Sequence, residues 1–295
     1  MENNALLTDF SRCLVKKEND AKLTPDEFRR LQFTELSLIK EFDRVCRANG
    51  IRYTIFCGTL LGAVRHKGYI PWDDDADIGM LREDYEKFKK VAGQMDQSVC
   101  FFQDHETDPE YLWGYGKLRK PGTTHIRTGQ EHIKCQDGIY VDVFPLDDIP
   151  MNVPGQLWQN FICFVNRKIL WANVGKVSDK GIKKLWWKFL SLTSKDTVYK
   201  RMKRYESRSN NDSPNMVRCL LFPSFGTLYV KNPINKRYGM EKSWFLNVRD
   251  YEFEGCSFLG MEDADAFLKH MYNDYMTLPP PEKRVPKVSF KLIKF

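Results

Sequence analysis

The sequence predicts an α/β core with flanking helices and a helical, basic elaboration after residue 150. Three observations carry the prediction. Between residues 24 and 150, short apolar runs that read as strands alternate with amphipathic helical patterns. The 295 residues are 42% hydrophobic and 14% aromatic, which excludes a disordered chain and supplies a large core. No apolar run approaches the ~20 residues that a membrane-spanning helix needs.

Residues 1–23 read as an N-terminal arm. The catalytic core is placed at 24–150, the helical elaboration at 151–215, and a segment that completes the fold at 216–295. The core opens with a helix. Thr24 is its cap, Pro25 fits the first helical position and Glu27 completes a capping box. Leu31, Leu38, Phe42 and Val45 form its apolar stripe, and Asn49-Gly50 ends it. A strand is expected at Tyr53–Cys57, a brief helix at Thr59–His66, a strand at Asp75–Met80 and an amphipathic helix at Arg82–Ala92. Further strands fall at Val99–Gln103, Tyr115–Leu118 and Ile139–Phe144. Beyond residue 150, helices are expected at Leu157–Ala172 and Ile182–Arg208. Strand-like pieces follow at Leu228–Val230 and Tyr251–Phe253, then a helix at Asp263–Tyr272. Leu278-Pro279-Pro280-Pro281 stops regular structure, and the last ten residues read as a closing strand or an adhesive tail.

Composition excludes several classes. The net charge is +7, yet Lys176 to Arg208 holds eleven Lys/Arg against three Asp/Glu, so the rest of the chain is about neutral. That describes one anion-facing surface, not a protein that is basic throughout. The eight cysteines are scattered, without a Cys-x-x-Cys pair, and read as buried thiols. The five histidines lack zinc-ligand spacing. Met1-Glu2-Asn3-Asn4 lacks a secretion signal's basic-then-apolar pattern, so the expected location is cytoplasmic.

The chemistry concentrates in CGTLLGAVRHKGYIPWDDDADIGM, residues 57–80. If Asp75–Ile78 is extended, Asp75 and Asp77 share a face, Asp73 has the same parity, and Asp74 points away to support the turn. Carboxylates on one face repel, and Mg²⁺ or Mn²⁺, which take oxygen ligands, would fit between them. The alternative is a solvated acidic turn. Upstream, Gly58-Thr59 places N–H groups and a hydroxyl at a helix N-terminus, where phosphate binds well. Asp142, within Tyr140-Val141-Asp142-Val143-Phe144, lies on an apolar strand and needs a metal, a base or a basic partner; a structural salt bridge would serve equally. Arg65, Lys117 and Arg119 are candidate phosphate contacts, or surface charges and structural ion pairs. His66 reads as a structural hydrogen-bonder.

Gly58-Thr59, Asp75-x-Asp77 and a lone strand Asp142 together resemble the nucleotidyltransferase superfamily. The longer blocks GTLLGAVRHKGYIPWDDDADIGM, DGIYVDVFPLDDIP and MYNDYMTLPPPEKR, spread over residues 53–284, resemble those of the LicD family. The resemblance implies a nucleotidyltransferase-like mixed sheet. It also implies a metal-dependent phosphotransferase that moves phosphocholine, or a similar group, to a hydroxyl. The donor would be CDP-activated, such as CDP-choline, and the acceptor a glycan or lipid-linked glycan of the cell surface, including teichoic acid precursors. Asp75 and Asp77 would be metal ligands, and Asp142 the third acid, acting as base or ligand. Lys287 stands where family members often carry a histidine.

Gly181–Leu190 interleaves Trp with Lys, a pattern that suits a helix lying at the inner face of a membrane. An internal helix with solvated lysines is the alternative, and no nucleic-acid module is visible. Two enzymatic rivals share this fold, a polyol-phosphate transferase and a true nucleotidyltransferase. A membrane glycolipid-binding protein is the non-enzymatic one.

Overall fold

The computed structural model describes residues 23–206, 215–222, 239–286 and 290–295. It is a mixed α/β fold. Helix α1 (Pro25–Ala48) starts as its sequence dictates. The Thr24 side chain accepts from the Glu27 N–H at 3.2 Å, and Glu27 Oε2 accepts from the Thr24 N–H at 2.8 Å. Gly50, at φ +62°, takes the left-handed turn that ends it, which costs glycine nothing.

Two-residue β1 (Thr54–Ile55) leads into α2 (Cys57–His66), then β2 (Asp77–Leu81) and α3 (Arg82–Val91). Strands β3 (Phe101–Gln103), β4 (Gly116–Arg119), β5 (Thr124–Arg127) and β6 (Tyr140–Asp148) follow. The central sheet runs β1-β2-β6-β4-β3, with β2 and β6 parallel and the other neighbours antiparallel. Beyond Leu146, β6 also pairs with β7 (Met216–Arg218), which pairs with β8 (Met240–Glu241).

Side chains alternate across this sheet. Ile78, Leu118, Val141 and Val143 point to one face and are fully buried, in one core with Phe42 of α1 and Phe88 of α3. The other face carries Asp77, Asp142, Tyr140, Lys117 and Arg119. The same core takes in Phe253 of the hairpin β9 (Val248–Phe253)–β10 (Cys256–Met261) and Phe267 of α7 (Ala264–Tyr272). The closing strand β11 (Phe290–Lys294) pairs antiparallel with β5, so the ending reads as a strand and not a loose tail.

Several sequence expectations are corrected. The helix expected over 182–208 is two helices, α5 (Gly181–Leu190) and α6 (Lys195–Glu206). The chain turns at Ser191–Ser194, and Ser194 Oγ accepts from the Thr197 N–H, so a serine cap competes with helix continuation. Helix α4 (Val153–Ser178) is longer than expected, capped by Asn152, whose Oδ1 accepts from the Gly155 N–H at 2.7 Å. The strand at Leu228–Val230, the arm before Leu23 and Lys287 lie outside the described residues. Among the described residues, seven cysteines are free, and five of them are buried.

Candidate active site

Asp77, Asp142 and Lys117 occupy one rung across three strands. Asp77 pairs with Asp142 between parallel β2 and β6, and Lys117 of β4 pairs with Asp142 from the other side. Neighbouring strands lie ~4.8 Å apart, so this register alone brings two carboxylates and an amine together. The rung is locked by backbone bonds: the Asp142 N–H donates to Ala76 O at 3.0 Å and the Phe56 N–H to Asp77 O at 2.8 Å. Lys117 Nζ donates to Asp142 Oδ1, and lies 3.4 Å from the centroid of the Tyr140 ring. Burial drives the Lys117 amine down to about 7, opposed by the Asp142 charge. Asp77 is only partly buried. Burial, then Asp75, Asp142 and Asp73, holds its carboxyl well above the usual range, against the pull of Lys117.

The acidic loop departs from the expected geometry. Strand β2 begins at Asp77, so Asp75 precedes it instead of sharing its parity. Asp74 does not point away. Asp73, Asp74 and Asp75 each bring a carboxylate oxygen within 4.8 Å of the others. The loop is pinned from below, where Gln32 Nε2 of α1 donates to Asp73 O at 3.0 Å and the Asp73 N–H to Ile70 O at 2.9 Å.

Gly58 and Thr59 sit inside the first turn of α2, which begins at Cys57, two residues before the expected start. Gly58 admits Asp73: a Cβ at residue 58 would stand 2.5 Å from Asp73 Oδ2. Thr59 Oγ1 accepts the Asp77 N–H at 2.8 Å, which ties the helix start to the first residue of β2 and leaves the hydroxyl proton to donate. Cys57 holds φ +45°, a strained setting for a residue with a side chain, between β1 and the turn.

The basic candidates divide. Arg65 donates to Tyr275 O at 2.5 Å, and Asp73, Arg284 and Tyr272 act on its charge. Arg119 is buried and committed, with Nε on Gln103 Oε1 at 2.7 Å and Nη1 on Gly138 O at 2.6 Å. His66 is driven down to about 4 by burial and by Arg65, and sits edge-on to Trp72. A neutral imidazole fits its structural reading.

Other residues gather here that sequence reasoning did not select. Glu35 of α1 is 1% exposed and its Oε2 has no hydrogen-bond partner. Burial and then Asp75, Asp74 and Asp73 push its carboxyl well above the ordinary range. Its signal was present in the chain, because residue 35 falls on the apolar stripe of Leu31, Leu38 and Phe42. Tyr272, which ends α7, leaves 37% of its surface exposed, yet the packing around its phenol and the neighbouring Cys57, Asp77 and Asp73 raise it. Arg127 of β5 lies 5.3 Å over the Tyr140 ring and is held charged by Tyr140 and Asp142. Arg127 and Tyr115 also line a cavity of about 410 Å³ with Trp113, Phe164, Lys168 and Trp171. No spacing signal marks Arg127, and Tyr272 stands inside the MYNDYMTLPPPEKR block without a feature that singles it out; both reach the site through tertiary packing.

The site therefore holds a run of oxygen donors with more negative charge than nearby cations offset, the donor set that Mg²⁺ and Mn²⁺ prefer. Burial and that excess push the Glu35 carboxyl behind the Asp73–Asp75 cluster toward its neutral form. These residues fit a divalent ion.

Residues 50–162 match the family model described as LicD/FKTN/FKRP, nucleotidyltransferase domain. Over 267 residues, 88% of this chain and 94% of the relative, the chain is 28% identical to the lipopolysaccharide cholinephosphotransferase LicD of Haemophilus influenzae. It is 48% identical over 60 residues to an uncharacterized protein of Rickettsia typhi, spanning 20% of this chain and 19% of the relative. It is 44% identical over 55 residues to the human ribitol 5-phosphate transferase FKRP, covering 19% of this chain and 11% of that protein.

Proposed function

We propose that this chain is a LicD-like transferase that moves phosphocholine, or a similar phospho-substituent, from a CDP-activated donor to a glycan hydroxyl. The observation that carries the reading is the Asp77–Asp142 rung with Asp73, Asp74 and Asp75 gathered at its entrance. Phosphoryl transfer needs charge neutralisation and in-line positioning more than covalent help. Asp75 and Asp77 would hold Mg²⁺ or Mn²⁺, with Asp73 beside them. When bound, that ion would neutralise the donor's diphosphate.

The remaining work falls to the chain's own groups. Arg127 and Arg65 offer charge to the phosphates. Asp142, oriented by Lys117, receives the proton of the acceptor hydroxyl as its oxygen bonds to phosphorus. The bond from phosphorus to the CMP oxygen breaks, and CMP leaves. The cavity beside Arg127, at about 410 Å³, lies in the size range of small-ligand pockets and would receive the donor's organic part or an acceptor sugar.

The match to a ribitol 5-phosphate transferase favours one second reading, transfer of a polyol phosphate. A donor panel separates the two. CMP release is followed with CDP-choline, CDP-ribitol and CDP-glycerol, with Mg²⁺ or with chelator, in wild type and Asp142→Asn. Choline-dependent, metal-dependent release that Asp142→Asn abolishes is the expected result. Release from a polyol donor alone would move the second reading to the front, and release from none of the three donors would defeat both.

A further inference from the structure

Helix α5 buries none of its residues, although six of its ten are apolar. Ile182, Leu185, Trp186 and Phe189 follow i, i+3, i+4, i+7 spacing and so form one stripe. The stripe faces solvent, with Ile182 85% and Phe189 63% exposed, and it continues past the helix end at Leu192. The other aromatic of the helix shows what an inward setting looks like. Trp187 packs on Gly175 of α4, donates from Nε1 to Asp179 Oδ2 at 2.6 Å, and carries Lys168 over its ring. The hairpin is thus anchored through Trp187 while the stripe is left open. Helix α4 adds Leu157, Trp158 and Phe161, all more than half exposed.

Charge selects the occupant. Lys183, Lys184 and Lys188 are exposed on the same helix, and helical periodicity places Lys183 and Lys188 along the two margins of the stripe. They belong to the segment that carries the chain's positive charge. A second copy seated symmetrically on this face would oppose lysine to lysine, whereas an anionic bilayer would draw the lysines to its headgroups and the stripe below them. Among the described residues no helix is long and apolar enough to cross a membrane, so the contact would be in the plane of the interface.

We propose that α5 is a docking surface for an anionic lipid bilayer, its apolar stripe inserted at the headgroup boundary and its lysines on the lipid phosphates. The inference stands apart from the donor chemistry proposed above. The full chain is sedimented with vesicles of phosphatidylcholine alone and with vesicles containing one part phosphatidylglycerol to two parts phosphatidylcholine. Trp186→Ser/Phe189→Ser and K183E/K184E/K188E are run beside wild type, with thermal midpoints measured for each. Because α5 buries nothing, the midpoints should not move. Binding confined to the mixed vesicles, at least tenfold weaker in both variants and in high salt, is expected. Tryptophan quenching by brominated lipid gives a second readout on the wild type alone. Failure to bind the mixed vesicles, or binding that neither variant alters, overturns the proposal. So does a concentration-dependent dimer that the Trp186/Phe189 variant dissolves, since the stripe would then be a protein interface. Turnover of a water-soluble acceptor should be unchanged in both variants, so a failure of the donor assignment stays distinguishable.

Discussion

The Asp73 carboxylate and the missing side chain of Gly58 fill the same space: a Cβ at residue 58 would lie 2.5 Å from Asp73 Oδ2. The glycine in the first turn of α2 is therefore a condition for the acidic loop to close on the helix N-terminus, where a carboxylate is electrostatically favoured.

Gly58→Ala separates helix stability from site geometry. Alanine improves helix propensity by about 1 kcal/mol and overpacking costs about 1–3 kcal/mol, so the melting midpoint should shift by only a few degrees. The added methyl must displace Asp73, whose backbone is pinned by Gln32 and Ile70. Turnover should fall at least tenfold, measured as CMP release beside calorimetry.

Asp77→Asn should abolish turnover yet stabilise the metal-free protein. The carboxyl is held well above its ordinary range by burial and by Asp75, Asp142 and Asp73. For an acid raised in the folded state, the folded form holds the proton longer. Stability is then full below the unfolded value, near 3.9, and is lost as pH rises toward the folded value. Asparagine removes that loss. Thermal melts in chelator at neutral pH should place the variant at or above wild type, and Mg²⁺ should raise its midpoint less.

Lys117→Met leaves Asp142 buried without its amine, and a buried pair broken on one side costs about 3–5 kcal/mol. The double variant Lys117→Met/Asp142→Asn should recover at least half of that in denaturant titrations. The pH slope has its own sign. With the folded amine near 7 and the unfolded one near 10.4, the unfolded chain binds more protons between them. This residue's contribution therefore rises with pH from about 7 to about 10.4, and Lys117→Met should flatten that slope.

His66, driven down to about 4, is neutral in the folded protein at pH 7. Its contribution is complete above the unfolded value of ~6.5 and is lost as pH falls from there through 4. His66→Asn should keep turnover within about threefold at pH 7.5 and lose less thermal stability than wild type between pH 7 and 5. A His66 that titrated near 6.5 by NMR would remove the basis for this prediction.

Much of this site was legible because its signals are local. Thr24 and Glu27 announce α1, and Asp142 stands out as a charge among strand residues. Parity placed Asp77 on a strand face but misplaced Asp74 and Asp75, because extension was assumed two residues before β2 begins. Composition could not reveal the break between α5 and α6, where a serine cap decides. Gly58 could be read only as a phosphate turn or an ordinary strand-to-helix turn, since its approach to Asp73 exists only after folding. Arg127 and Tyr272 arrive from β5 and α7 with no spacing that links them to the acidic loop. Glu35 was readable as an acid on an apolar stripe, and its meaning required the cluster above it.

The parallel pairing of β2 with β6 also sets a timetable for synthesis. Asp77 leaves the ribosome well before Asp142, and Tyr272 later still, while elongation adds about 5–20 residues per second. For several seconds the nascent chain carries its acidic loop with only the two-residue β1 beside β2 and no Lys117–Asp142 pair to balance it. Long-range closure of that kind is slow and exposes strand edges meanwhile. A chaperone that shields β2 until β6 emerges would raise the yield of active protein more than its thermal stability.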